Sequence, residues 1–161
     1  MGGRGSGSGI SKTYTHEQHV SALKTWTQGD YNSLKHSSVL EDFIRQSEPS
    51  RVQSLNRGVS MTQVQAESIK VGDSVSFDGL SSWPSRVGIA QSFARENASD
   101  AKPMQVTYRL KGGTNKAAKV GRLGGLNRYD EGEHIMSSTA KFKVDRIKRV
   151  DRYRMEVWVK E

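Results

Sequence analysis

The hydrophobic period of this chain changes at Pro49, and that change sets the fold class. Before it, Val20, Leu23 and Trp26 recur at three-residue spacing, and Val39, Leu40, Phe43 and Ile44 form a second cluster. Apolar residues so spaced line one face of a helix. Thr15 opens the first helix and Gly29-Asp30 closes it. Ser38 opens the second, with Glu41 and Asp42 in its first turn, and that helix stops before Pro49. Beyond Pro49 the pattern runs by twos. Leu55 to Met61 and Ser74 to Phe77 read as short strands, Met104, Val106, Tyr108 and Leu110 fall on one side of another, and the glycines of Lys111-Gly112-Gly113-Thr114-Asn115 turn the chain. Phe142 with Val144, then Tyr153, Met155, Val157 and Val159, continue the alternation. One late helix interrupts it: Ser85 caps a segment whose Val87, Ala90, Phe93 and Ala94 share a face. Helices first and antiparallel strands afterwards predict an α+β domain, not an alternating parallel α/β one.

The first twelve residues are a flexible Gly/Ser-rich tail or linker, because they carry too little side-chain area to order their backbone. Residues 13–161 then form a single domain. The chain has no cysteine, which excludes disulfides, thiolate metal sites and a cysteine nucleophile. No stretch approaches the roughly 18 apolar residues that cross a bilayer, and the first residues have no apolar signal segment. The expectation is a soluble protein of the cytoplasm, or one delivered into a target cell's cytoplasm, with no membrane partner. Charge is unevenly placed. Residues 1–101 hold 10 basic and 10 acidic side chains and residues 102–161 hold 15 and 7, so the net +8 lies wholly in the second part. Such a region attracts polyanions, or it is simply the solvated face of a sheet.

Several chemistries find no support. His16 and His19 sit three apart on the first helix, but no further ligand is placed to complete a metal site. Lys111 to Lys116 is rich in lysine and glycine yet lacks phosphate-loop spacing and opens no helix. No serine, histidine and aspartate are grouped as a hydrolase triad requires.

Three short segments remain. Leu55-Asn56-Arg57-Gly58-Val59 lies on a strand, Leu80-Ser81-Ser82-Trp83-Pro84 leads into the late helix, and Glu131-Gly132-Glu133 enters another strand. On a strand, residues two apart share a face, so Glu131 and Glu133 can converge on one cleft. Paired carboxylates are costly without a cation beside them. The plainer reading of the pair is a solvated acidic turn, of Arg57 a strand-edge charge, and of Ser82 a helix-entry turn.

In order and spacing the three segments resemble the arginine–serine–glutamate class of mono-ADP-ribosyltransferases, the group of the cholera-like and clostridial binary toxins with relatives among phage enzymes. Arg57-Gly58 matches the arginine and glycine of the first core strand. Leu80, Ser82-Trp83-Pro84, Ala90 and Phe93-Ala94 follow the frame of a Ser-Thr-Ser strand and its helix. Glu131-Gly132-Glu133, Ile135-Met136 and Lys141-Phe142-Lys143-Val144 follow the Glu-x-Glu segment and the strand after it. The likeness covers roughly residues 15–160, and its last segment is the most specific. Trp83 and Pro84 depart from the Ser-Thr-Ser triplet, and Ser81 rivals Ser82 as its first serine. Pro84 cannot donate a backbone hydrogen bond, so the strand must end there or lie at an edge.

The resemblance implies N-terminal helices packed on a mostly antiparallel two-sheet core with a central NAD-binding cleft. It implies transfer of ADP-ribose from NAD to arginine side chains of a target protein, with release of nicotinamide and no metal. Glu133 is then the principal catalytic residue and Glu131 faces the acceptor, with Tyr129 as the aromatic that meets the target. Arg57, Gly58, Ser82 or Ser81, and Phe93 bind NAD. The implied setting is a monomeric bacterial or phage toxin or effector, with an antitoxin or immunity protein as a further partner. Two alternatives stand beside this one. The basic stretch with Lys141, Lys143, Arg146, Lys148, Arg149, Arg152 and Arg154 could present RNA or DNA as the acceptor, or the chain could be a non-catalytic nucleic-acid-binding module.

Overall fold

A computed structural model describes residues 13–27, 34–120 and 132–161. Two helices open it, α1 (His16–Thr27) and α2 (Leu34–Gln46). Thr15 caps α1 with more than a hydroxyl. Its Oγ1 accepts from the Gln18 N–H at 3.2 Å while Gln18 Oε1 accepts from the Thr15 N–H at 2.8 Å, a reciprocal capping box. The buried face of α1 is His19, Ala22, Leu23 and Trp26, so Val20 lies beside the core stripe and not in it. The second helix begins four residues before Ser38. Ser38 is therefore no cap, and Asp42 is not in the first turn. It is fully buried, where its Oδ2 meets His19 Nε2 at 2.9 Å and accepts from the Tyr14 N–H at 3.0 Å. This pair pins α1 to α2 and engages the histidine that a metal would have needed.

After Pro49 come β1 (Ser54–Met61), a short α3 (Gln63–Glu67) that the hydrophobic pattern does not announce, β2 (Ser74–Ser76), β3 (Ser81–Ser82), α4 (Val87–Asn97), β4 (Met104–Lys111), β5 (Ala117–Lys119), β6 (His134–Met136), β7 (Lys141–Arg149) and β8 (Arg154–Lys160). They form a five-stranded sheet in the order β1-β4-β8-β7-β2 and a three-stranded sheet in the order β3-β6-β5. Pairing is antiparallel except between β4 and β8, which run parallel, so the larger sheet is mixed. Ser85 does not cap α4. Arg86 holds that place with no side-chain hydrogen bond, because Ser85 is engaged elsewhere.

The layers follow from the alternation. Ile135 and Ala118 of the small sheet face Leu23, Trp26, Leu40 and Ile44 of the helices. Met136, Ala117 and Trp83 face the other way, onto Leu55, Val106, Tyr108, Phe142 and Val157 of the large sheet. Trp83 is fully buried and is the keystone between the sheets. Its ring lies 5.6 Å from Phe77 and 5.4 Å from Phe142, and its indole N–H donates to Ser81 Oγ at 2.9 Å. An aromatic of that size contributes about 3–5 kcal/mol relative to alanine. On the far side of the large sheet, α4 rests on β1. A Cβ on Gly58 would lie 1.7 Å from the Ala90 carbonyl oxygen, so only glycine admits the helix at this distance.

Candidate active site

Each of the three sequence segments arrives on a different strand. Arg57 pairs with Tyr108 and therefore points to the inner face of the large sheet, whereas Gly58 points out beneath α4. Its Nη1 donates to the Ser82 carbonyl oxygen at 3.3 Å, and its guanidinium lies 5.2 Å over the Phe77 ring. Ser82 Oγ donates to Glu133 Oε1 at 2.5 Å. Arginine, serine and glutamate, far apart in the chain, thus meet at one point and are half-buried there. A charge-assisted hydrogen bond of this kind fixes the carboxylate's direction.

The two serines point to opposite faces of β3. Ser81 pairs with Met136 and turns into the core, where its oxygen accepts the Trp83 indole. Ser82 pairs with Ile135 and turns to the opposite side, where its hydroxyl meets Glu133. The substituted triplet explains itself in the same way. Trp83 fills the space between the sheets, and β3 ends before Pro84 on an edge of the small sheet, which removes the conflict with a missing donor.

Residues next to the three motif residues bolt the segments together. Asn56, fully buried beside Arg57, donates Nδ2 to the Pro84 and Ser85 carbonyls at 3.3 Å each, and its backbone N–H meets the Pro84 oxygen at 2.9 Å. The Ser85 N–H donates to the Gly132 carbonyl at 2.9 Å. That carbonyl also accepts from His134 Nδ1 at 2.7 Å, and His134 Nε2 lies 2.8 Å from the Ser50 hydroxyl oxygen. A carbonyl can only accept, so His134 carries a proton on Nδ1. Burial pushes its pKa below the ordinary 6.5, the Gly132 bond opposes this, and Lys119 adds to the depression. No sequence pattern announces Asn56, Ser85 or His134 as site residues, since their roles depend on the strand pairing that brings the segments together.

The φ of Gly132 is +75°, and β6 begins only at His134. A Cβ there would also lie 1.9 Å from Ser85 Oγ. Glu131 and Tyr129 lie outside the described residues. Phe93 is not gathered with the others. It sits on α4, on the side of β1 opposite Arg57, and is 38% exposed. Gly58 is explained by the approach of α4. The basic side chains Lys143, Arg146 and Lys148 also fall on the outer face of the large sheet, since Arg146 pairs with Trp158 while Ile147 and Val157 point inward.

This arrangement of helices and two sheets is the fold of solved ADP-ribosyltransferases and bacterial toxin components. The chain is similar to the ADP-ribosyltransferase Vis of Vibrio splendidus, with a TM-score of 0.72 and 14% identity over 93% of this chain and 77% of Vis. It is also similar to the type III effector XopAI of Xanthomonas axonopodis pv. citri, with a TM-score of 0.61 and 14% identity over 88% of this chain and 62% of the effector. Against C2-I, the enzymatic component of the C2-toxin of Clostridium botulinum, the TM-score is 0.60 at 14% identity, over 93% of this chain and 43% of that one. No family model matches the sequence and no curated protein does.

Proposed function

We propose that the chain is a mono-ADP-ribosyltransferase that moves ADP-ribose from NAD to arginine side chains of a target protein. The observation that carries this reading is the meeting of Arg57, Ser82 and Glu133 through two hydrogen bonds in a fold similar to that of an ADP-ribosyltransferase. In NAD the nicotinamide is already cationic and leaves without a proton, so the barrier lies in forming an oxocarbenium-like ribose. A fixed carboxylate beside the sugar stabilises that charge, as in glycosidases. Glu133 takes this role, accepting from the ribose 2′-hydroxyl, and Ser82 holds it in place. Arg57 suits the dinucleotide phosphates, a forked donor meeting paired oxygens.

Glu131 is assigned to the acceptor. It orients the incoming guanidinium, which is scarcely acidic in water, more than it deprotonates it. An arginine-like acceptor is consistent with the crystallisation of Vis with agmatine. By analogy with the effector and the toxin component among the similar structures, the target is a protein in the cytoplasm of another cell. The basic strand faces away from the cleft, which argues against its presenting a nucleobase to Glu133.

Incubating the protein with labelled NAD and agmatine tests the assignment. Glu133→Gln is expected to abolish both transfer and NAD hydrolysis with the fold unchanged. Glu131→Ala is expected to lose transfer and retain hydrolysis. Undiminished transfer by the Glu133 variant refutes the reading.

A further inference from the structure

A groove of about 490 Å³ lies on the outer face of the large sheet, lined in part by Arg109, Lys111, Arg146 and Trp158. Strand alternation gathers Lys143, Lys148 and Lys160 onto the same face. Two carboxylates share it, and each is engaged: Asp145 with Lys160 at 3.4 Å and Glu156 with Arg109 at 3.4 Å. Cations therefore remain in excess. Trp158 stands among them between two guanidiniums, Arg146 at 3.9 Å and Arg109 at 5.3 Å from its ring centre. At the tip of the β7–β8 hairpin Arg152 lies 5.2 Å over Tyr153, a second pairing of the same kind.

The geometry points to this face as a docking surface for a single-stranded nucleic acid, separate from the catalytic cleft. Charge excess alone would also suit an acidic protein, but a protein interface needs an apolar centre. Of the two large apolar residues that line the groove, Leu110 is buried and Trp158 carries stacked guanidiniums. A nucleic acid needs no such centre. Its phosphates meet spaced cations, and its bases stack on guanidinium planes as readily as on aromatic rings. Arg146, its guanidinium carbon 3.9 Å from the Trp158 ring centre and its side chain exposed, offers such a plane. The surface lies behind the sheet that carries Arg57, so it tethers the enzyme to a strand and does not feed that strand to Glu133.

Fluorescence anisotropy with short mixed-sequence RNA and DNA oligonucleotides across a salt series tests this without any need for NAD. Binding is expected to weaken steadily with salt, by a slope of about 0.7 in log–log terms for each phosphate neutralised. The triple variant K143E/R146E/K148E should bind at least about tenfold more weakly, while NAD hydrolysis is unchanged. Arg146→Lys keeps charge and fold but removes the stacking plane; it should weaken oligonucleotide binding and leave binding of heparin, a polyanion without bases, as it was. Absence of oligonucleotide binding at low salt overturns the proposal, as does binding that the triple variant retains. Equal loss or retention of heparin and oligonucleotide by Arg146→Lys reduces the face to a general polyanion surface. Displacement of the strand by polyglutamate at equal charge concentration favours an acidic protein instead.

Discussion

Gly132 and His134 flank the carboxylate that the proposed chemistry depends on, and both act through one carbonyl. The Gly132 oxygen accepts from Ser85 and from His134, and the residue's own φ of +75° turns the chain into β6. Alanine at Gly132 meets a left-handed penalty of about 1–2 kcal/mol as well as the crowding against Ser85. A displacement of Glu133 by even 1 Å can cost about a hundredfold in rate. Gly132→Ala is therefore expected to lower NAD turnover far more than stability, by roughly 100-fold against a loss of about 2 kcal/mol; nicotinamide release and urea denaturation measure the two. His134 gives a pH signature. Its folded pKa lies below 6.5, so as pH falls through about 6.5 the unfolded chain takes up a proton that the folded chain refuses, and stability declines until the folded pKa is passed. His134→Gln should flatten that part of the stability–pH curve, measured by denaturant midpoint, while other groups' slopes persist. The sequence shows the histidine but not its burial, because nothing local places Ser50 against its ring.

At the scale of elements, most of the strands were legible because their burial is one-sided. Met104, Val106, Tyr108 and Leu110 are all buried, as are Met155, Val157 and Val159, and such alternation survives any tertiary context. Tyr153 fails the same pattern, being 43% exposed before β8 begins. Boundaries set by capping were less legible. Ser38 and Ser85 are good cap residues in isolation, yet the first is interior to α2 and the second has its N–H bonded to Gly132, a long-range contact that overrides local preference. Parallel pairing of β4 with β8 was hidden for the same reason, since register between distant strands leaves no local trace. The contact of α4 with β1 supplies a clean test. Gly58→Ala must push the Ala90 carbonyl aside, and a backbone shift of that kind costs about 3 kcal/mol. The expected result is a lowered denaturant midpoint with an unchanged slope; an unaltered midpoint would mean that α4 does not rest on β1 as described.

At the scale of the whole molecule, the two sheets divide the work. Their facing sides and the keystone Trp83 hold the arginine, serine and glutamate together, and the outer side of the larger sheet carries the charge. The order and spacing of three short segments made the first half of this legible, because a site built from strand ends leaves its residues in sequence-local clusters. The second half was legible only as a composition: the sequence shows where basic residues concentrate but not that strand pairing turns Lys143, Arg146 and Lys148 away from the cleft. The most direct test of the account is a crystal structure with NAD bound. The account predicts the nicotinamide ribose within hydrogen-bonding distance of Glu133 and the phosphates against Arg57. A dinucleotide seated in the groove of Arg109 and Trp158, with the cleft left to solvent, would contradict it.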